Sequence, residues 1–205
     1  MQSKFKLRQT FKSIRKNIAE TYRHEAAMKA AELFAAHPLF KQSQHIACYL
    51  SLPDEFDSLP LIETIWQNKK ECYLPVIAKK NDKQLLFIHY RYGDALHLNQ
   101  YSILEPKNMS KEISPQELDL VIMPLIAFDR EGHRLGTGGG YYDRTFAFMH
   151  EEKKAKPILT GLAYAAQQTE TLPHDDWDVH LAEVITEREV IVFSSEEFLP
   201  PSEEG

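Results

Sequence analysis

The chain has 205 residues, 43% hydrophobic and 26% charged, which suits one domain with a sizeable core and excludes a compositionally disordered protein. Its 24 Lys and Arg stand against 30 Asp and Glu, and a net charge of −6 argues against wholesale nucleic-acid binding, whose footprint is a strongly basic domain. The longest apolar run, Leu120 to Phe128, is short of a membrane span and broken by Pro124, and Lys and Arg interrupt the N-terminus where a signal peptide needs an apolar stretch. The expectation is a cytoplasmic protein that binds neither membrane nor nucleic acid.

In chain order, Leu7, Phe11, Ile14 and Ile18 form one apolar helical stripe. Lys4, Arg8, Lys12 and Arg15 form a basic stripe about 100° around the same helix. Six basic residues and no acid lie between Met1 and Lys16. Such a patch on an acidic protein suits a small anionic ligand, although solvated surface charge is the ordinary reading of charge runs. A second helix is predicted over Tyr22 to Ala36, ending before Pro38. His45 to Leu52 reads as a buried strand, Leu59 to Asn68 as a helix, Glu71 to Ile77 as a strand, and Gln84 to Tyr90 as another, hairpin-paired.

From Asp94 to Gln116 no firm pattern emerges. Asp119 to Met123 is a strong central strand, followed by a loop to Gly140 and a helix from Tyr141 to about His150. Lys156 to Tyr164 and Glu183 to Phe193 carry the last strands, and the acidic tail from Ser194 is expected to be disordered. Strands alternating with helices imply a single three-layer α/β/α domain over residues 1–193 with a mostly parallel sheet. Ligands in such sheets collect at the carboxyl ends of strands. Cys48 and Cys72 form no CxxC pair and sit among apolar residues, so they are read as reduced core residues.

Chemistry concentrates in Met123 to Arg144, where Gly136, Gly138, Gly139 and Gly140 fall within five positions. Glycines permit close backbone approach, so consecutive N–H groups can converge on an anion, helped by the N-terminus of the following helix. Arg134 and Arg144 flank the loop and can fork onto phosphate oxygens, and Asp143 is a hard oxygen ligand suited to magnesium. This is neither a P-loop, since no Gly-Lys-Ser/Thr follows, nor a dinucleotide fingerprint. Spacing alone leaves open a tight structural turn with structural arginines.

The string R-L-G-T-G-G-G-Y-Y-D-R resembles the signature of the 5-formyltetrahydrofolate cyclo-ligase family. Three other segments match that family in order: Lys4 to Arg8, Tyr49 to Glu55, and Leu172 to Asp178 with Val184 to Thr186. The resemblance implies a fold like that of ribose-phosphate isomerase and CoA-transferase relatives. It also implies conversion of 5-formyltetrahydrofolate and ATP to 5,10-methenyltetrahydrofolate, ADP and phosphate, with Mg2+. Carried over by position, Lys4, Phe5, Lys6, Leu7, Arg8, Arg134, Leu135, Gly136, Thr137, Gly138, Gly139, Gly140, Tyr141 and Tyr142 would hold ATP. Asp143 and Asp178 would bind the metal, with Asp175 and Asp176 close to the second position. Leu50, Glu55 and Tyr142 would meet the folate, Glu55 at the donor edge of the pteridine. Some relatives have basic residues inside the loop where this chain has Thr137 and Gly139, and many have His where it has Trp177.

In this chemistry the protein supplies positioning and charge neutralisation rather than a covalent nucleophile, with Arg134 and Asp143 as the catalytic candidates. Nine histidines without metal-ligand spacing argue against zinc. Blander readings stand beside these: Asp129 as a turn-former before Gly132, Glu55 as a surface or capping acid, Trp177 as core or cavity wall. A non-catalytic folate or nucleotide binder and a different kinase-like α/β enzyme are the competing functions. The expected form is a monomer.

Overall fold

A computed structural model describes residues 3–78, 83–100, 103–151 and 156–193. The acidic tail predicted from Ser194 lies outside the described residues. Helices α1 (Lys4–Lys16), α2 (Glu20–Ala36) and α3 (Pro38–Gln42) precede strand β1 (His45–Ala47). Then come α4 (Leu59–Gln67), β2 (Glu71–Ile77), β3 (Leu85–His89), β4 (Leu96–Leu98), β5 (Leu104–Pro106) and β6 (Glu112–Ile113). The second half holds β7 (Leu120–Pro124), β8 (Ala127–Phe128), β9 (Arg134–Leu135), α5 (Tyr141–Thr145), α6 (Phe148–Glu151), β10 (Ile158–Leu162), β11 (Glu183–Ile185) and β12 (Val190–Val192).

Eight strands form one sheet in the order β12-β11-β10-β7-β1-β2-β3-β6. The five inner strands from β11 to β2 are parallel, and the edge pairings β11–β12, β2–β3 and β3–β6 are antiparallel. Alternation sorts the side chains of β7: Leu120 and Ile122 join one core and Val121 and Met123 the other. The first core is covered by α2, α3 and α4. Ala26, Ala27, Ala30, Ala31 and Phe34 line the buried stripe of α2, and the alanines let it lie close to its neighbours. The second core is covered by α5, α6 and the segments after β7 and before β11. A third cluster seats α1, through Leu7, Phe11 and Ile14, on the β8–β9 hairpin and Leu172. The mostly parallel α/β sheet is as expected, and both cysteines are free and buried.

Two local expectations are corrected, and two segments gain detail. The strand predicted from His45 to Leu52 stops at Ala47, because the Ser58 hydroxyl takes the Tyr49 carbonyl at 2.5 Å and the Tyr49 hydroxyl reaches the Phe56 carbonyl at 3.2 Å. Those bonds fold residues 49–58 into a loop at the carboxyl end of β1. The helix predicted from Tyr141 to His150 breaks into α5 and α6. Thr145 Oγ1 donates back to the Tyr141 carbonyl and accepts from Leu85 N–H, while buried Phe146 leaves helical geometry. Glu183 to Phe193 is a hairpin turned by Thr186, which bonds Glu189 through backbone and hydroxyl. The patternless stretch from Asp94 to Gln116 holds the β4–β5 hairpin and β6.

A buried carboxyl at the start of β11 gives the fold a pH dependence. Glu183 is 2% exposed; its Oε1 accepts from Thr160 Oγ1, its Oε2 has no hydrogen bond, and His37 Nε2 lies 3.5 Å away. Burial pushes the Glu183 pKa from 4.5 up to about 7, and burial also lowers that of His37. A raised carboxyl is no burden while protonated; the penalty grows as pH climbs above the unfolded value and is complete above the folded one. Glu183→Gln should therefore leave the melting temperature unchanged near pH 5 and raise it at pH 8. The expected gain is about 2–3 kcal/mol, or roughly 5–10 °C. An equal gain at both pH values would refute the assignment.

Candidate active site

At the carboxyl ends of β1, β2 and β7 lies a cavity of about 960 Å³. It gathers Lys4, Arg8, Leu50, Glu55, Arg134, Leu135, the stretch from Gly136 to Asp143, and Asp178, residues drawn from four distant parts of the chain. Phe5, Lys6 and Leu7 do not line it. Phe5 is 67% exposed, Lys6 faces solvent, and Leu7 packs in the α1 cluster. Helical geometry explains the split, since positions 4 and 8 share a face that 5, 6 and 7 leave.

The loop is held open by arginines. Arg8 Nε donates to the Gly136 carbonyl at 2.8 Å, and its guanidinium lies over Gly138, where a Cβ would stand 3.5 Å from Cζ. Gly138 has φ +102°, a conformation closed to ordinary side chains, so the loop needs glycine here. Gly140, at φ +66°, caps α5, and Arg144 Nη1 bonds the carbonyls of Gly139 and Gly140. α5 is only five residues long, so the helix dipole expected to aid anion binding is weaker than the sequence suggested.

Arg134 has a different place from the phosphate fork expected of it. Its side chain is 6% exposed, Nη2 donates to Asp143 Oδ1 at 2.6 Å, and Nη1 donates to the Val179 carbonyl. Val179 N–H also donates to Asp143 Oδ1 at 3.3 Å. Arg134 thus fastens Asp143 to the segment that carries Asp178. Lys4 Nζ bridges Asp175 at 2.6 Å and Asp178 at 3.1 Å, and Asp178 Oδ2 also accepts the Asp175 N–H. These bonds hold the Asp178 carboxyl below its ordinary range against the opposing effect of burial. Asp176 is exposed and outside the cavity lining.

On the other wall, Glu55 Oε2 accepts the Leu52 N–H at 3.1 Å, and burial pushes its pKa up. Burial likewise raises the hydroxyl of neighbouring Tyr142, which stays neutral. Arg15, expected to extend the basic stripe on the surface, is instead buried: it donates to the Leu125 carbonyl and to Asp54, and so pins the loop that carries Glu55. Asp129 is structural. Its carboxylate accepts from the N–H groups of Glu131, His133 and Leu172 and meets His133 Nδ1, tying the β8–β9 hairpin to the segment leading to Asp175. Trp177, 67% exposed, stands on the cavity rim. The sequence reading missed the apolar wall of Leu74, Pro75, Ile77, Leu85 and Leu104, and it missed Glu105. The only signal for Glu105 was an acid set among Ile103, Leu104 and Pro106. Among the described residues no three His, Cys, Asp or Glu side chains are placed to hold a metal ion together, and no helix is long and apolar enough to cross a membrane.

The chain is similar to proteins of known activity. Residues 1–187 match the profile of the 5-formyltetrahydrofolate cyclo-ligase family. The chain is 36% identical to the 5-formyltetrahydrofolate cyclo-ligase of Haemophilus influenzae, across 90% of this chain and 97% of that protein. It is also 36% identical to that of Escherichia coli, across 86% and 96%. Among solved structures, the 5,10-methenyltetrahydrofolate synthetase of Aquifex aeolicus superposes with a TM-score of 0.80 at 30% identity, covering 98% of this chain and 97% of that one. The four matching segments and the cavity they build thus have one explanation: the chain belongs to the 5-formyltetrahydrofolate cyclo-ligase family of ATP-dependent ligases.

Proposed function

We propose that the chain closes 5-formyltetrahydrofolate to 5,10-methenyltetrahydrofolate by moving the terminal phosphoryl group of ATP onto the formyl oxygen. The carrying observation is that one cavity holds both the glycine loop with its arginines and an apolar wall with a carboxylate. A formamide oxygen leaves poorly. Its attack on the γ-phosphorus expels ADP and gives an iminium phosphate at N5. N10 then adds to the activated carbon, phosphate departs with the former formyl oxygen, and N10 gives up its proton. Glycine-loop amides and Arg8 hold the phosphate chain, Arg134 orients Asp143, and Leu50, Glu55 and Tyr142 face the folate.

Asp143 and Asp178 suit magnesium. Both are hard oxygen ligands linked through Val179, and Lys4 Nζ already sits as a cation on Asp178 and Asp175. Magnesium bound by one or two carboxylates completes its shell with water and phosphate oxygens, so no third protein ligand is required. Bound there, it supplies charge neutralisation for the transferring group. The same reading has residues 1–193 act as one domain, a monomer in the cytoplasm.

The direct experiment incubates the protein with ATP, magnesium and 5-formyltetrahydrofolate. Methenyl absorbance should rise in step with ADP, and neither should appear when one substrate is omitted. Folate binding without turnover would make the chain a binder instead. Within α1, Lys4→Ala and Arg8→Ala should each raise the KM for ATP by about tenfold or more, the loss of one charged contact. Lys12→Ala, on the same stripe but exposed, should change it little. An equal effect of Lys12→Ala would reduce the site to diffuse surface charge.

A further inference from the structure

Glu105 on β5 is 6% exposed and lines the cavity. Its Oε1 accepts two hydrogen bonds, from Ile77 N–H at 3.2 Å and from Asn99 Nδ2 at 2.7 Å. Among the described residues no Lys, Arg or His pairs with it, and Oε2 has no donor. A carboxylate so deep is costly to desolvate and is ordinarily matched by a cation or by a full set of donors. Its neighbours on the wall, Leu74, Pro75, Ile77, Leu85 and Leu104, offer neither. Among the described residues no hydrogen bond or ion pair ties Glu105 to the glycine loop or to the Lys4–Asp178 cluster; its partners are Ile77 and Asn99. Glu105 is thus an acceptor fixed on one oxygen, with no donor on the other among the described residues.

The two substrates differ in what they offer such an acceptor. The pteridine of the folate carries a 2-amino group beside a ring N–H, two parallel donors that a carboxylate can take as it takes a guanidinium. Adenine alternates an amino donor with a ring-nitrogen acceptor, which a carboxylate repels. Within the pteridine, the donor edge lies at the opposite end of the bicycle from N5, where the formyl group reacts. Within the sheet, Glu105 bonds the end of β2, while the loop carrying Glu55 follows β1, the strand between β2 and β7. Glu55 and Tyr142 line the same cavity, and Tyr142 directly follows the glycine loop in the chain.

We propose that Glu105 anchors the aminopyrimidinone edge of the pteridine and so fixes which end of the ring faces the glycine loop. The proposal rests on the cyclo-ligase reading of this cavity. An anchor at Glu105 displaces Glu55 from the donor edge expected for it from the family resemblance and leaves it to meet the folate nearer its reacting atoms. Glu105 is a specificity residue on this account, touching the substrate far from the bond that forms.

Glu105→Gln separates anchoring from bracing. The glutamine carbonyl can still accept from Ile77 and Asn99, so a purely structural role survives the change. Its amide N–H2, however, turns donors toward donors. Equilibrium binding of 5-formyltetrahydrofolate to the full chain should weaken about ten- to a hundredfold. The KM for the folate should rise in parallel, while kcat at saturating folate, the KM for ATP and the melting temperature stay near native values. Unchanged folate affinity overturns the proposal. So does a loss shared by folate affinity, ATP KM and melting temperature, which would make Glu105 a brace. A native chain that fails to bind 5-formyltetrahydrofolate would sink the cyclo-ligase reading and this proposal with it, whereas normal native binding with an unchanged variant sinks only the role of Glu105.

Discussion

Asp143→Asn should lower turnover by about 10³-fold or more at saturating substrates, the scale seen when a phosphoryl-transfer site loses a charge that steadies the transferring group. Asparagine keeps the shape and can still accept from Arg134 and Val179, so the local bonds survive. What is lost is the carboxylate charge. Two consequences follow from that loss. Residual activity should need far more magnesium than the native enzyme, since a neutral amide is a poor ligand for a hard divalent ion. The variant should also remain folded at assay temperature, because Arg134 keeps its bond to the Val179 carbonyl and Asp178 nearby. Native turnover at limiting magnesium would remove Asp143 from the metal site.

Arg134→Lys should cost roughly 10–100-fold in rate although the charge is kept. The native guanidinium reaches two acceptors on different segments at once, Asp143 and the Val179 carbonyl. A lysine ammonium is one point on a flexible stem and cannot span both in the same plane. The loss of one charged hydrogen bond is worth about 1.5–3 kcal/mol, which is the stated range in rate. Because Arg134 acts through Asp143 rather than on the substrate directly, the deficit should be partly relieved by raised magnesium. A deficit in the KM for ATP alone, with kcat and magnesium dependence unchanged, would mean instead that Arg134 contacts phosphate.

The sheet was legible where burial is continuous. β7 is a run of apolar residues because it is covered on both faces, and no other reading suits Leu120 to Met123. α2 was legible because its alanines and Phe34 keep helical spacing. The failures occurred where side chains, not periodicity, decide the backbone. Ser58 and Tyr49 end β1 through hydrogen bonds from side chains to backbone, and Thr145 ends α5 by bonding to the turn before it. Pattern reading has no access to such bonds.

In the site, the glycine loop, Lys4, Arg8 and Asp143 were legible as types at spacings and Glu55 only through the family resemblance, and the fold brings them to one cavity. Their partners were not. Arg134 reads as a phosphate fork until Val179 is placed beside it, and Arg15 reads as surface charge until Leu125 and Asp54 close over it. Glu105 owes its place to bonds from Ile77 on β2 and from Asn99, which periodicity does not announce.

The central claim is that the formyl oxygen itself receives the phosphoryl group. Labelling that oxygen of 5-formyltetrahydrofolate with 18O and running a single turnover with ATP and magnesium tests it most directly. The account predicts one 18O in the released phosphate for each methenyl product formed. Methenyl product with unlabelled phosphate, the label having left as water, would contradict it.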